Sequence, residues 1–249
     1  MIQTLLFDLD NTLVLFDEKI FFKQYLNRLF PFYQDLATPE LLQKQLMLST
    51  QKMLNNSGKI LNAAFFLSDF SLGLNQPEKE LWDRFILFYE SEFDALRDIA
   101  SPVAGVSDMI EKLNAQSYQL VVASNPVWPL LVQELRLDWA DLNPNHFDHV
   151  THIENTHFCK PKTEYYTEIC QVLHVAPETC MMIGNDPVND MSAGKIGMKT
   201  YLTTDWLQQD QKSLELSDRM RYRHDHGQIE KPDFEGRILD VPNILSALN

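Results

Sequence analysis

Near its start the chain runs Thr4-Leu5-Leu6-Phe7 and then breaks into two carboxylates and a hydroxyl, Asp8-Leu9-Asp10-Asn11-Thr12. A run this short and this apolar predicts a strand buried on both faces, as in the middle of a parallel sheet, where reactive groups gather at the strand ends. Strand alternation sends Asp8 and Asp10 to the same side. Carboxylates that close raise each other's pKa or recruit a cation, which leaves Mg²⁺, a retained proton, or both as ways of settling the charge.

The same grammar of apolar run followed by polar residues recurs downstream. Leu120-Val121-Val122-Ala123 leads into Ser124-Asn125, and Cys180-Met181-Met182-Ile183 leads into Gly184-Asn185-Asp186-Pro187-Val188-Asn189-Asp190. Between them lies Cys159-Lys160-Pro161-Lys162. Helix patterns at residues 109–113, 130–135, 164–173 and 191–196 alternate with strand patterns at 120–123, 150–153, 180–183 and 199–202. Such alternation predicts a parallel sheet with helices on both faces and right-handed crossovers. Residues 234–245 read as one more short strand and a closing helix.

From residue 17 to 100 strand signals nearly vanish. Phe21, Phe22, Tyr25, Leu26, Leu29 and Phe30 lay an apolar stripe along one helix. Thr38-Pro39-Glu40 opens a second with a capping hydroxyl, a proline at the first helical position and an acid in the first turn, and Asn55-Asn56-Ser57-Gly58 stops it. A third spans residues 60–70. A fourth opens near Pro77 and carries Leu81, Trp82, Phe85, Ile86, Tyr89 and Phe93 on one side. Twelve of the fifteen phenylalanines precede Ala100, enough for this stretch to have a core of its own. The expected division is residues 1–16 and 101–249 as an α/β core, with 17–100 as a helical second domain.

Composition narrows the partners. A net charge of −14 and a pI near 4.8 argue against nucleic acid, whose phosphates need a basic face. The same acidity means that a phosphate ester bound here needs local positive charge from a metal and a lysine. Cys159, Cys170 and Cys180 have no metal-ligand spacing and leave one thiol over in any pairing, so reduced thiols are expected. The sequence shows no apolar stretch of about 20 residues to span a membrane and no signal segment, and cytoplasm is the expected compartment. Arg219, Arg221 and Arg223 alternate near a His224-Asp225-His226 cluster; two histidines without further ligands read as a solvated loop, not a metal site.

Taken together, Asp8 and Asp10, Ser124, Lys160 and the acidic loop opened by Gly184 resemble the four motifs of the haloacid dehalogenase superfamily, most of whose members are Mg²⁺-dependent phosphohydrolases. The resemblance runs from about Ile2 to Leu202. It implies a doubly wound, Rossmann-like α/β core with a smaller all-helical cap inserted between the first and second motifs. It implies Asp8 as the nucleophile and Asp10 as acid and then base, with the backbone carbonyl of Asp10 on the metal. Thr12 would order the turn and Asp10 and, with Ser124 and Asn125, bind the substrate phosphate. Lys160 would face the aspartyl phosphate, preferred over Lys162 because the family's lysine directly precedes proline. Asp186 would join Asp8 on Mg²⁺, with Asp190 binding through water or orienting Lys160. Asparagine in place of the commoner aspartate after Gly184 leaves open which group touches the ion, and Asn185 is a candidate oxygen donor.

The function so implied is a Mg²⁺-dependent phosphatase that hydrolyses a small phosphorylated metabolite through an aspartyl-phosphate intermediate. A phosphomutase shares the chemistry and differs in the acceptor. A receiver-like phosphoacceptor or binding module is a third reading, disfavoured because in receivers the lysine comes last and here the acidic loop follows it. Halide leaves without a proton, so a second aspartate argues against a dehalogenase. Neither the ester's identity nor the oligomeric state has a mark in the sequence.

Overall fold

A computed structural model describes residues 1–205 and 230–248, so the arginine alternation at 219–223 and the histidine cluster at 224–226 lie outside the described residues. The chain opens with β1 (Thr4–Phe7) and a short β2 (Val14–Phe16). Four helices follow: α1 (Glu18–Leu29), α2 (Pro39–Leu54), α3 (Asn62–Leu74) and α4 (Glu78–Ser91). A 3₁₀ stretch, Phe93–Ile99, leads into β3 (Ala100–Pro102). The remainder alternates α5 (Val106–Ala115), β4 (Gln119–Val122), α6 (Leu130–Trp139), β5 (His149–Val150), α7 (Thr163–Leu173), β6 (Cys180–Gly184) and β7 (Lys199–Thr203), closing with β8 (Phe234–Gly236) and α8 (Val241–Leu248).

Six strands form one sheet in the order β5-β4-β1-β6-β7-β8, and every pairing in it is parallel. The predicted α/β class is therefore as observed, and β1, expected as a strand buried on both faces, lies in the interior of the sheet. All four β1 side chains are buried; each fully buried Leu or Phe contributes about 1.5–3 kcal/mol. Register decides where the chemistry lies. Phe7 pairs with Val122 on one side and Ile183 on the other, so the residues that follow β1, β4 and β6 emerge side by side. The chain leaves β1 toward β4 and returns on the other flank as β6, which makes this edge the topological switch point.

The helical segment enters and leaves through β2 and β3, an antiparallel pair with Phe16 opposite Ala100. This pairing was not foreseen, because strands of three residues carry no readable period. Thr38 accepts from Leu41 N at 3.3 Å and Pro39 follows it, as the sequence predicts for the start of α2. Aromatic contacts join the helical segment to the core: Tyr25 meets Trp128 edge-on at 5.1 Å, and Phe93 stacks on Trp139 at 5.2 Å. One apolar cluster consequently runs through both parts.

Three elements differ from expectation. The strand expected at 150–153 is only His149–Val150, because Thr151 turns its hydroxyl onto the Ser124 carbonyl at 2.8 Å. The helix expected at 191–196 is 3₁₀, ended by Gly197 at φ +94°. The helix expected at 130–135 continues to Trp139 and so brings in Arg136. All three cysteines are buried free thiols. Among the described residues no helix is long and apolar enough to cross a membrane.

Candidate active site

Strand β1 ends before the acids do. The Leu9 carbonyl accepts from Thr12, Leu13 and Val14 N–H groups at 3.2, 2.9 and 3.1 Å, and Asn11 takes φ +56°. The chain therefore turns sharply, and the two aspartates do not share a partner. Two buried cations divide them. Lys160 Nζ donates to Asp8 Oδ1 at 2.9 Å and to Asp190 Oδ1 at 2.6 Å. Arg136 forms an ion pair with Asp10 Oδ1.

Lys160 comes from the loop before α7 and is 3% exposed, a place where an isolated ammonium would lose its charge. Burial pulls its pKa down, yet the carboxylates of Asp190 and Asp8 outweigh it and hold the value well above the ordinary lysine range. Burial also pushes the Asp190 carboxyl up to about 7, against the pull of Lys160. Asp190 is fixed further by the Asp186 amide, which donates to its Oδ2 at 2.8 Å. Lys162, the rival cation, points elsewhere: its Nζ donates to the Asn56 carbonyl in the helical segment at 2.6 Å.

Thr12 is fully buried, and its hydroxyl stands 3.3 Å from Asp8 Oδ2 and 3.4 Å from Asn185 Oδ1. Asn185 thus shares the pocket with Asp8. Asp186 behaves differently. Its Oδ1 accepts from the Val188 and Asn189 amides at 2.8 and 3.0 Å and its Oδ2 from Asn189 Nδ2 at 2.9 Å, so the carboxylate shapes its own loop. Gly184 permits this packing, because a Cβ there would lie 2.1 Å from Asp190 Oδ2.

Ser124 is buried at the end of β4, its carbonyl held by the hydroxyls of Thr151 and Tyr165, each at 2.8 Å. Neighbouring Asn125 has a buried Oδ1 with no hydrogen-bond partner, a polar group of the kind kept for a ligand. The site residues named from sequence thus gather at one sheet edge, with Asp186 turned into its loop.

Sequence reasoning missed Arg136. It is fully buried in α6, donates to Gln133 Oε1 at 2.8 Å, and lies 5.9 Å from the centre of the Trp128 ring. Burial lowers its pKa to about 9, opposed by the charge of Asp8. A signal existed: Gln133 and Arg136 stand three apart within the buried stripe of Val132, Leu137 and Trp139, where a charge needs a partner.

A six-stranded parallel sheet with carboxylates after β1, a hydroxyl after β4, a buried lysine before α7 and an acidic loop after β6 is a doubly wound α/β core with its polar groups gathered at the switch point. Residues 5–203 match the model of the haloacid dehalogenase-like hydrolases, and the chain belongs to that family. Several solved structures share the fold over nearly the whole chain. The magnesium-bound HAD-hydrolase YfnB from Bacillus subtilis aligns with a TM-score of 0.57 at 21% identity, covering 98% of this chain and 99% of its own. A HAD phosphatase from Thermococcus onnurineus gives 0.56 at 17%, covering 98% of each chain. L-2-haloacid dehalogenase from Xanthobacter autotrophicus gives 0.58 at 17%, covering each chain completely. At these identities the likeness carries the fold and leaves the reaction to the site. No curated protein matches the chain in sequence comparison.

Proposed function

We propose that this hydrolase is a Mg²⁺-dependent phosphatase acting on a small phosphorylated metabolite, with Asp8 as the residue that becomes phosphorylated. The observation that carries the reading is the Asp8–Lys160–Asp190 chain of contacts, closed off from water beside Ser124 at the end of the central strand. A nearly dry ammonium against a carboxylate is arranged to neutralise oxygens of a phosphoryl group carried by that carboxylate.

Beside the Lys160 ammonium, the groups near Asp8 that could ligate a metal are oxygens, the Thr12 hydroxyl and the Asn185 amide oxygen, which suits Mg²⁺. Asp8, the Asp10 backbone carbonyl and Asn185 would hold it, with Asp190 behind them and Asp186 keeping the loop in place. An asparagine donor removes one negative charge that the commoner aspartate would supply. When bound, the ion supplies positive charge that lowers repulsion between Asp8 and the phosphate.

Lys160 fixes Asp8 Oδ1, leaving Oδ2, beside the Thr12 hydroxyl, to attack phosphorus in line. Ser124 and Asn125 hold the phosphoryl oxygens. Asp10, more than a third exposed, is the acid that a leaving oxygen and an incoming water can both reach. Arg136 orients its carboxyl for that proton transfer. That second carboxyl separates this site from halide displacement, whose leaving group takes no proton.

Release of inorganic phosphate from an ester is expected with Mg²⁺, to stop with a chelator, and to fall below about a thousandth of wild type in Asp8→Asn. Survival of activity in Asp8→Asn rejects the nucleophile. Transfer to a sugar hydroxyl without free phosphate would make the enzyme a mutase.

A further inference from the structure

Next to the site, between the helical segment and the core, lies a cavity of about 340 Å³. Tyr25, Phe66, Trp82, Phe85, Tyr89 and Trp128 surround it, and none of the side chains lining it carries a formal charge. The Tyr25 and Tyr89 hydroxyls turn to each other at 3.3 Å, and burial raises both pKa values, so they remain neutral. Its volume falls in the range of small-molecule sites, about 300–1,000 Å³.

One wall of the cavity belongs to the loop that carries Ser124 and Asn125. Val127, Trp128 and Pro129 in its wall follow Ser124 and Asn125 after Pro126, and the Val127 amide donates to the Asn125 carbonyl at 2.8 Å. Trp128 also faces the Arg136 guanidinium, which pairs with Asp10. The part of an ester beyond its leaving oxygen would therefore meet rings on several sides. A second carboxylate, an ammonium or a polyhydroxylated sugar would lose hydration there without a charged partner among the side chains that line the cavity. A flat ring would gain edge and face contacts.

We propose that this cavity takes the leaving group, and that the substrate is a phosphate monoester of an uncharged, ring-bearing alcohol or phenol. The proposal rests on the phosphatase reading. In the transfer, an Asp8 oxygen–phosphorus bond forms as the phosphorus–oxygen bond of the ester breaks; the electron pair leaves on that oxygen, which takes a proton from Asp10 or water and departs as the neutral alcohol. Water then cleaves the phosphorylated Asp8 to carboxylate and inorganic phosphate.

The test combines turnover with binding. Phosphate release is compared for 2-naphthyl phosphate, glycerol 3-phosphate, phosphoserine and acetyl phosphate, the last with a leaving group too small to fill the cavity. Binding of 2-naphthol is followed by calorimetry. Thr50→Trp, which fills the cavity from a half-buried helical position, and Met47→Glu, which places a charge at its exposed rim, are tested beside wild type. The expected kcat/KM for naphthyl phosphate exceeds that for glycerol phosphate by about 100-fold. Each variant is expected to raise KM for naphthyl phosphate by about tenfold more than KM for acetyl phosphate and to weaken naphthol binding by about tenfold. Equal or better use of the charged or hydroxylated esters overturns the proposal, as does absence of naphthol binding or binding that both variants leave intact. Naphthol binding with no phosphate released from any ester would instead overturn the phosphatase reading and leave a ring-binding cavity.

Discussion

The pairing of Asp10 with Arg136 is asymmetric, and that asymmetry is measurable. Arg136 is fully buried, whereas Asp10 keeps a side-chain exposure of 36%. Asp10→Ala strands a buried guanidinium and is expected to cost about 3–5 kcal/mol, whereas Arg136→Met leaves a carboxylate that water can reach and should cost about 1.5 kcal/mol or less. Urea unfolding of the two variants checks the order, and Asp10→Ala/Arg136→Met together should be more stable than Asp10→Ala alone. Equal losses would show that Arg136 is not dependent on Asp10. Asp8, Asp10, Ser124 and Lys160 were legible as residues because each stands where an apolar run ends or a proline follows. Arg136 was not, because nothing in the local pattern of α6 says which distant carboxylate would meet its buried face. The same limit applied to Asp186 and Asn185: adjacency in sequence could not tell that one carboxylate would cap its own loop while the neighbouring amide turned toward Asp8.

Among the elements, β6 and the loop after it depend on close approach. In Gly184→Ala the added Cβ would overlap Asp190, which must move while bonded to Lys160. Overpacking of this kind costs about 1–3 kcal/mol, and the variant should lose more than about tenfold in kcat because Lys160 loses its anchor. An unchanged kcat would mean that Asp190 does not position Lys160. At the β5 edge of the sheet, burial lowers the pKa of His149 from 6.5, with His152 adding to the effect. The folded state therefore resists a proton that the unfolded state accepts, and the stability supplied by neutral His149 falls as pH drops below about 6.5. Replacement by Gln should make the loss of Tm between pH 7 and pH 5 smaller than in wild type. An equal slope in both proteins would remove His149 from the account. Helix starts such as Thr38-Pro39 were readable because capping is local, whereas β2, β3 and the shortened β5 were not, since their lengths are set by partners far along the chain.

Taken whole, the molecule has helices and sheet joined through a single apolar cluster, with Tyr25, Phe93, Trp128 and Trp139 spanning the boundary. The polar contacts at Asn62 and Lys162 fasten the same boundary from another side: Asn62 Nδ2 reaches Thr156 Oγ1 at 3.2 Å, and Lys162 reaches Asn56. With this much shared surface, unfolding is expected as one cooperative transition, with tryptophan fluorescence and far-ultraviolet circular dichroism giving coincident midpoints in urea. Two separated transitions would show that residues 17–100 form an independent folding unit. By itself the sequence determined the alternation of strand and helix, the parallel sheet, the helical segment after the first motif and the strand ends that carry chemistry. These follow from side-chain period and from turn residues, both of which act over a few positions. Only the tertiary structure decided that Arg136 faces Asp10, that Lys162 fastens the helical segment, and that a cavity lined by aromatic and other uncharged side chains lies between that segment and the core. Burial and partner choice are properties of surfaces brought together from distant segments, and no short stretch of chain encodes them alone.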